Sequence, residues 1–373
     1  MTRWALNCGY VPLVDSAPLI IAQALGFAQE EGVALTLRRQ PSWAALRDLL
    51  ALGHLDAAHM LAPMPIAMSL GLSGKPIATD ALMMLSTNGT VTGVTPQIAD
   101  QMRAAGWQGG FLDPKGARAA LRSVAQARVE PLRVGVPFPY SMHLLLFAYW
   151  MGEARRDFEI VTMPPPLMAQ AVAAGEIDLF CVGEPWGSVA VESGAAELIL
   201  PGAMIWNSAP EKVLAARREW VAQNGAAAGA LMRAVFRACA WLDLPENHGL
   251  ASEILARSEH LDLPDHAIDR ALTGQLLPRL GGRMVTVPAF LRFQRMGSNI
   301  PLRAQAAWIG AQIAGIQGRD VAMSARAAQG CYRPDLYSAQ MGALAGMAEA
   351  ESAMILTPDA FFDGKPISTP PKD

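Results

Sequence analysis

Two short stretches, Leu52-Gly53-His54-Leu55-Asp56 and Ala174-Gly175-Glu176-Ile177-Asp178, decide the fold. Each reads glycine, any residue, an apolar residue and aspartate, and a proline (Pro63, Pro185) follows seven residues after each aspartate. A helical stretch runs into each (43–52 and 166–174) and a short apolar strand leaves it (57–61 and 179–182). The glycines fit the position just past a helix, where positive φ is needed, and the prolines suit the start of the next helix. This is a weak internal duplication.

Another strand and helix precede each unit. Residues 4–10 lead into 17–25, which ends at Gly26, and residues 132–136 lead into 142–151, which ends at Gly152. Strand-helix-strand-helix-strand twice over predicts two α/β lobes, each a parallel sheet covered by helices. Such sheets bind ligands beyond the carboxyl ends of their strands, so the shared crevice is the expected site. Lobe two is expected at 88–207. Lobe one takes 1–87 and 208–373, including a mainly helical C-terminal extension (227–242, 251–257, 264–276, 302–314, 335–349) that wraps it, and the last ten residues read as a loose tail.

The chain has 373 residues, 52% of them hydrophobic and 17% charged, so it can bury a large core in two or three domains. The net charge is −3 and Lys and Arg are scattered, so no basic stripe points to direct nucleic-acid binding. No run of 18 apolar residues predicts a membrane span. The opening residues enter the first strand with no apolar leader, which predicts a cytoplasmic location. The four cysteines, Cys8, Cys181, Cys239 and Cys331, lack metal spacing and read as free thiols, mostly buried.

Four places carry candidate chemistry. Ser42 suits the N-cap of a helix whose first turn holds Trp43, a flat indole wall beside free backbone N–H groups; a tryptophan packed between helices fits the residue equally. His143, in Tyr140-Ser141-Met142-His143 at a strand-to-helix turn, can donate to an oxyanion or serve as an ordinary core histidine. Lys212, in Pro210-Glu211-Lys212 just before a strand at 213–216, is a compact charge for a small anion, or a solvated surface lysine. Gly183, in Cys181-Val182-Gly183-Glu184-Pro185-Trp186, lets backbone approach a ligand; Cys181 has no partner base in the sequence and no thiol at the duplicated position. His54 and His59 are five apart, the wrong spacing for one helical face, and are not read as metal ligands. No phosphate loop, nucleophile elbow or HExxH motif occurs, so no catalytic residue, metal or cofactor is expected.

Together these segments resemble one family. Ser42-Trp43-Ala44-Ala45-Leu46-Arg47-Asp48, the run from Gly53 to Met68 containing Ala58-His59-Met60-Leu61-Ala62-Pro63-Met64-Pro65, Asn88-Gly89, Tyr149-Trp150, Pro164 to Pro166, Cys181 to Trp186, Pro210 to Lys212 and Phe361-Phe362-Asp363-Gly364 are similar to nitrate-binding proteins of the nitrate/bicarbonate importer class, the NrtA-like family. The resemblance spans Leu6 to Gly364. It implies a two-lobed periplasmic-binding-protein type II fold, with Trp43, Thr90, His143, Lys212 and Gly183 around the ligand. Thr90 stands where nitrate binders usually carry an amide. Lys212 stands where bicarbonate-binding relatives carry an acid, and so favours nitrate or nitrite.

Without a leader, the chain resembles most the NasS-type nitrate/nitrite sensor, a cytoplasmic regulator of nitrate assimilation. That resemblance implies a protein partner, a NasT-type RNA-binding antiterminator with an ANTAR domain, held until nitrate or nitrite releases it. Two other readings stay open. One is the substrate-binding protein of a nitrate ABC importer; the other is a thiamin-pyrimidine synthase, similar in fold but marked by a cysteine-rich run that this chain lacks.

Overall fold

The computed structural model describes residues 3–342 and 359–367. Ten strands build the two lobes in chain order: β1 (Trp4–Tyr10), β2 (Val33–Arg39), β3 (Ala57–Leu61), β4 (Thr79–Asn88), β5 (Thr90–Val94), β6 (Leu132–Val136), β7 (Phe158–Thr162), β8 (Leu179–Gly183), β9 (Glu197–Pro201) and β10 (Pro210–Arg217). Three short strands follow: β11 (Gln275–Leu276), β12 (Val285–Thr286) and β13 (Leu291–Arg292). The sheet of lobe one runs β13-β4-β10-β3-β1-β2, and that of lobe two β7-β6-β8-β5-β9.

The duplicated units are real. The helices Trp43–Ala51 and Met168–Ala173 end before Gly53 and Gly175, at φ 83° and 70°, and the strands β3 and β8 follow. The expected parallel sheets need correction, however. Three strands of each are parallel (β2-β1-β3 and β7-β6-β8), while β10 and β4, and β5 and β9, pair antiparallel. The cause is the exchange between lobes. β4 leaves lobe one and continues as β5 in lobe two, β9 returns as β10, and each arriving strand runs against its neighbours.

Asn88 fastens both crossings. It sits at φ 62° and Gly89 at 85°, a turn an asparagine tolerates and a glycine adopts without strain. The Asn88 side-chain amide donates to the carbonyls of Asn207 (2.9 Å) and Ala289 (3.0 Å), and its oxygen accepts from the N–H of Ala209 at 3.0 Å. One side chain thus joins the outgoing strand, the returning strand and the extension.

The extension also differs from the expectation that it wraps lobe one alone. The long helix Gly225–Leu242 packs on the first helix of lobe one, Ala17–Ala24, and β13 completes that lobe's sheet. Yet the N–H of Leu198 in β9 donates to Pro278 O at 2.8 Å, and Gln317 donates to Tyr140 at 2.9 Å. Trp206, fully buried, lies 4.9 Å from Trp308 and 4.8 Å from Phe361 between ring centroids, with its indole N–H on Asp359 at 2.6 Å. The extension therefore holds both lobes. A helix Val321–Gln329 and the β11–β12 hairpin carry too little pattern to be read from sequence; the helix expected at 264–276 stops at Thr273, where Gly274 is left-handed and β11 begins. The helix expected at 335–349 is Pro334–Met341 as far as residue 342, and most of the expected tail lies outside the described residues. Trp206→Ala should empty the centre of this aromatic cluster and cost about 3–5 kcal/mol, read as a fall in the urea midpoint.

Candidate functional site

The strand ends of both lobes meet over one buried cluster. Lobe one supplies Asp15 from the 3-10 turn Val14–Ser16 after β1, Trp43 from the helix after β2, His59 from β3, and Glu211 with Lys212 from β10. Lobe two supplies His143 from the helix Met142–Met151 after β6 and Gly183 from the end of β8. Two N-caps place the aromatic groups, Ser42 as the sequence predicts and Ser141 as the structure adds. Ser42 Oγ accepts from Ala45 N at 3.2 Å and Ser141 Oγ from Leu144 N at 3.3 Å, so Trp43 and His143 each stand in a first helical turn facing the crevice.

Lys212 is the centre. It lies inside β10 rather than before it, opposite Leu61 of β3 and Ser86 of β4, and it is fully buried. The surface-lysine reading is thereby excluded, but the ammonium is not a lone cation. It donates to Asp15 Oδ2 and Glu211 Oε1, both at 2.7 Å. Burial disfavours its charge, yet these two carboxylates outweigh that and hold Lys212 above the ordinary lysine range. Its ammonium also lies 5.5 Å from the centroid of the Trp43 ring, a cation–π contact.

The acids differ in state. Burial alone would raise Asp15, but Lys212 and a 2.9 Å bond to His59 Nε2 bring it down to about 2. Burial dominates at Glu211 and pushes it up to about 7 in spite of Lys212. Both histidines are neutral: burial lowers His59, and burial with the nearby charge of Lys212 holds His143 well below the usual range. His143 Nδ1 stands 3.5 Å from Glu211 Oε1. Tyr332 approaches from the extension but donates its hydroxyl to Ala62 O at 3.1 Å.

Several buried polar atoms here have no hydrogen-bond partner among the described residues: Trp43 Nε1, both ring nitrogens of His143, His59 Nδ1 and Glu211 Oε2. Orphaned buried donors are rare and need an explanation, and a small acceptor-rich ligand between Trp43, His143 and Lys212 supplies one. Gly183 keeps room there: a Cβ on it would stand 2.8 Å from Leu13 Cδ2, 3.6 Å from Asp15 Oδ2 and 3.8 Å from His143 Nε2. The lobes are bolted around the cluster by Val14 N to Glu184 O (3.1 Å), Trp186 Nε1 to Pro12 O (3.1 Å) and Tyr140 OH to Leu72 O (2.9 Å).

Of the residues singled out in the sequence, Trp43, His143, Lys212 and Gly183 converge. Thr90 pairs with Gly183 across β5 and β8, but its hydroxyl lies against Gly202, where a Cβ would come within 2.1 Å of it, and no hydrogen bond joins it to the cluster. Cys181 is buried, with its thiol pushed up to about 12 by burial, and stays protonated. Sequence reasoning missed Asp15, His59 and the acid at Glu211. Two signals were present: a lone histidine in the otherwise apolar β3, and an acid and a lysine at adjacent positions of an apolar strand. Two carboxylates also line the pocket, so it is not made of donors alone.

Lys212→Met would leave Asp15 and Glu211 buried without their cation. The unliganded protein should lose about 3–5 kcal/mol in urea unfolding, and adding Asp15→Asn should recover part of it.

Residues 3–256 match the NMT1-like family. The nitrate/nitrite binding protein NrtA of Synechocystis sp. is 34% identical over 276 residues, 70% of this chain and 59% of that protein. The nitrate import ATP-binding protein NrtC of the same organism is 32% identical over 315 residues, 83% of this chain and 45% of that one. The chain thus spans about half the length of the curated relatives it matches. The crystal structure of the periplasmic nitrate-binding protein NrtA from Synechocystis PCC 6803 superimposes with a TM-score of 0.85 at 28% identity, over 96% of this chain and 94% of that one.

Proposed function

The chain belongs to the NMT1-like family, and on that premise we propose that it is a receptor for a small monoanion, nitrate or nitrite. The observation that carries this reading is the set of unpartnered polar atoms, Trp43 Nε1 and the His143 ring, one of whose nitrogens is a donor, around a buried ammonium between the lobes. Lys212 offers three N–H groups and spends two on carboxylates, leaving one for a ligand. A planar oxyanion at the Nε1 edge of Trp43 would take that N–H and the indole and imidazole donors together. The names of the relatives, a nitrate/nitrite binding protein and a nitrate import protein, support the same ligand class. Thr90, with its hydroxyl on Gly202, shapes the wall through β5 rather than through a direct bond. Nothing in the cluster is arranged as a nucleophile with its base, and the reading is of a binding protein rather than an enzyme.

Binding closes the lobes. The ligand bridges donors of both, and the closed arrangement is held by the Val14–Glu184 and Trp186–Pro12 bonds. We place this receptor in the cytoplasm as a sensor that sequesters an RNA-binding ANTAR antiterminator until nitrate or nitrite binds; its support is the resemblance to NasS-type proteins and an extension that touches both lobes, so that closure alters a surface shared by them. Delivery to a nitrate ABC importer is the second reading, favoured by the names of the relatives.

Calorimetric titration with nitrate should show one site, and Trp43→Phe, which keeps the ring but removes its N–H, should weaken binding by about tenfold or more. Absence of binding would end the receptor reading. For the partner, nitrate should lower the affinity for a NasT-type protein by its own binding linkage; an affinity unchanged by saturating nitrate would remove the sensor and leave the importer.

A further inference from the structure

The charge of the site leaves an imbalance that the ligand alone cannot settle. Lys212 carries +1, Asp15 is ionised, and both histidines are neutral. With Glu211 ionised as well, the fully buried cluster is already at −1, and a monoanion would bring it to −2 in a place shielded from water. Placing two uncompensated negative charges in such a site is costly.

We propose that Glu211 is the proton-taking partner of the ligand: one proton enters on its carboxylate as the anion binds beside Lys212. The proposal rests on the reading of the site as a monoanion receptor and names how that site accommodates the charge. Geometry selects Glu211 among the groups that face it. From β10, Lys212 is held between two carboxylates at 2.7 Å and remains charged. From the turn after β1, Asp15 is fixed by Lys212 and by His59 Nε2 at 2.9 Å. From β3, His59 is engaged with Asp15 rather than with Glu211. From the extension, the hydroxyl of Tyr332 is committed to Ala62 O. Glu184, the other deeply buried acid nearby, is likewise pushed up to about 7 by burial and leaves Oε1 unpartnered, but its Oε2 accepts from Ser188 N at 3.1 Å and among the described residues it makes no ion pair with Lys212.

Glu211 alone combines full burial, an unpartnered oxygen (Oε2) and a contact on its other oxygen with Lys212. From lobe two, His143 stands at 3.5 Å. A proton on Glu211 converts a repelling carboxylate into a neutral donor and leaves Lys212 and Asp15 as a balanced pair. The cluster with its anion then stands at −1 rather than −2. Its ordinary acidity is already shifted in this direction, up to about 7 by burial. Below that pH the proton is present before the ligand arrives. Above it the proton must be taken from solvent, so binding weakens as pH rises.

Calorimetric titration of the intact protein with sodium nitrate, at pH 8 in buffers of different ionisation enthalpy, counts the protons. The expected result is uptake approaching one proton per nitrate at pH 8, falling toward none near pH 5.5, with affinity dropping by about tenfold per pH unit above the transition. Glu211→Gln should abolish both the uptake and the pH dependence. Nitrate binding with no buffer-dependent heat and no pH dependence between 5.5 and 8.5 would overturn the proposal while leaving the receptor reading intact. Undiminished uptake in Glu211→Gln would overturn the assignment to this residue. No nitrate binding at any of these pH values would sink both. If that variant does not fold, Glu184→Gln decides between the two buried acids: uptake retained in it keeps the assignment to Glu211, and uptake lost in it overturns that assignment.

Discussion

Three groups on one strand and one turn set the terms for everything around them: the Lys212 ammonium, held 2.7 Å from both Asp15 and Glu211 with no access to water. An ammonium in that position is tolerable only with its carboxylates, and the carboxylates only with it. This fixes the approach of the turn after β1 to β10, and so the register of the sheet between them, where β1 and β3 lie side by side and β3 pairs with β10. It also requires a cover, which lobe two provides through His143 and Gly183. A protein of this composition has apolar residues enough for several cores; the charged cluster sits where the two lobes meet.

The exchange of strands explains how two lobes come to share so small a site. Each sheet takes its fourth strand from the chain just arriving from the other lobe, β5 in one and β10 in the other. Lys212 rides on an arriving strand, and Gly183 lies beside one, β5. The crossings are tied by Asn88, so movement of one lobe on the other turns about residues bonded to both strands and to the extension. The aromatic cluster of Trp206, Trp308 and Phe361 adds a second tie near the returning crossing. A ligand that bridges Trp43 of one lobe and His143 of the other therefore acts across a junction built to bend in few ways.

Much of this was legible beforehand, for identifiable reasons. Local rules are strong at helix starts and ends, so Ser42, Gly53 and Gly175 marked their elements, and with them Trp43. Gly183 was singled out because strand ends of α/β lobes face a crevice, whereas Lys212 stayed open between anion site and surface until the family resemblance chose it. What failed depended on partners distant in sequence. The antiparallel strands were missed because nothing local in an apolar run such as 79–88 says which way its neighbour points. Asp15 was missed because it meets Lys212, far apart in the chain, only once the fold brings them to 2.7 Å, whereas Glu211 stood beside Lys212 in the sequence and its role depends on both being buried. The extension was placed on lobe one by order along the chain, whereas Leu198, Glu192 and Trp206 bind it to lobe two. Thr90 was assigned by likeness to a motif, and its hydroxyl turned out to face Gly202.

The position of the anion is tested most directly by a crystal structure grown with saturating nitrate. The expected result is flat, three-lobed density at the Nε1 edge of Trp43, with oxygens within hydrogen-bonding distance of Trp43 Nε1, a His143 ring nitrogen and Lys212 Nζ, and the ammonium still on Asp15. Density for nitrate elsewhere, with the donors of Trp43 and His143 unengaged by the anion, would contradict it.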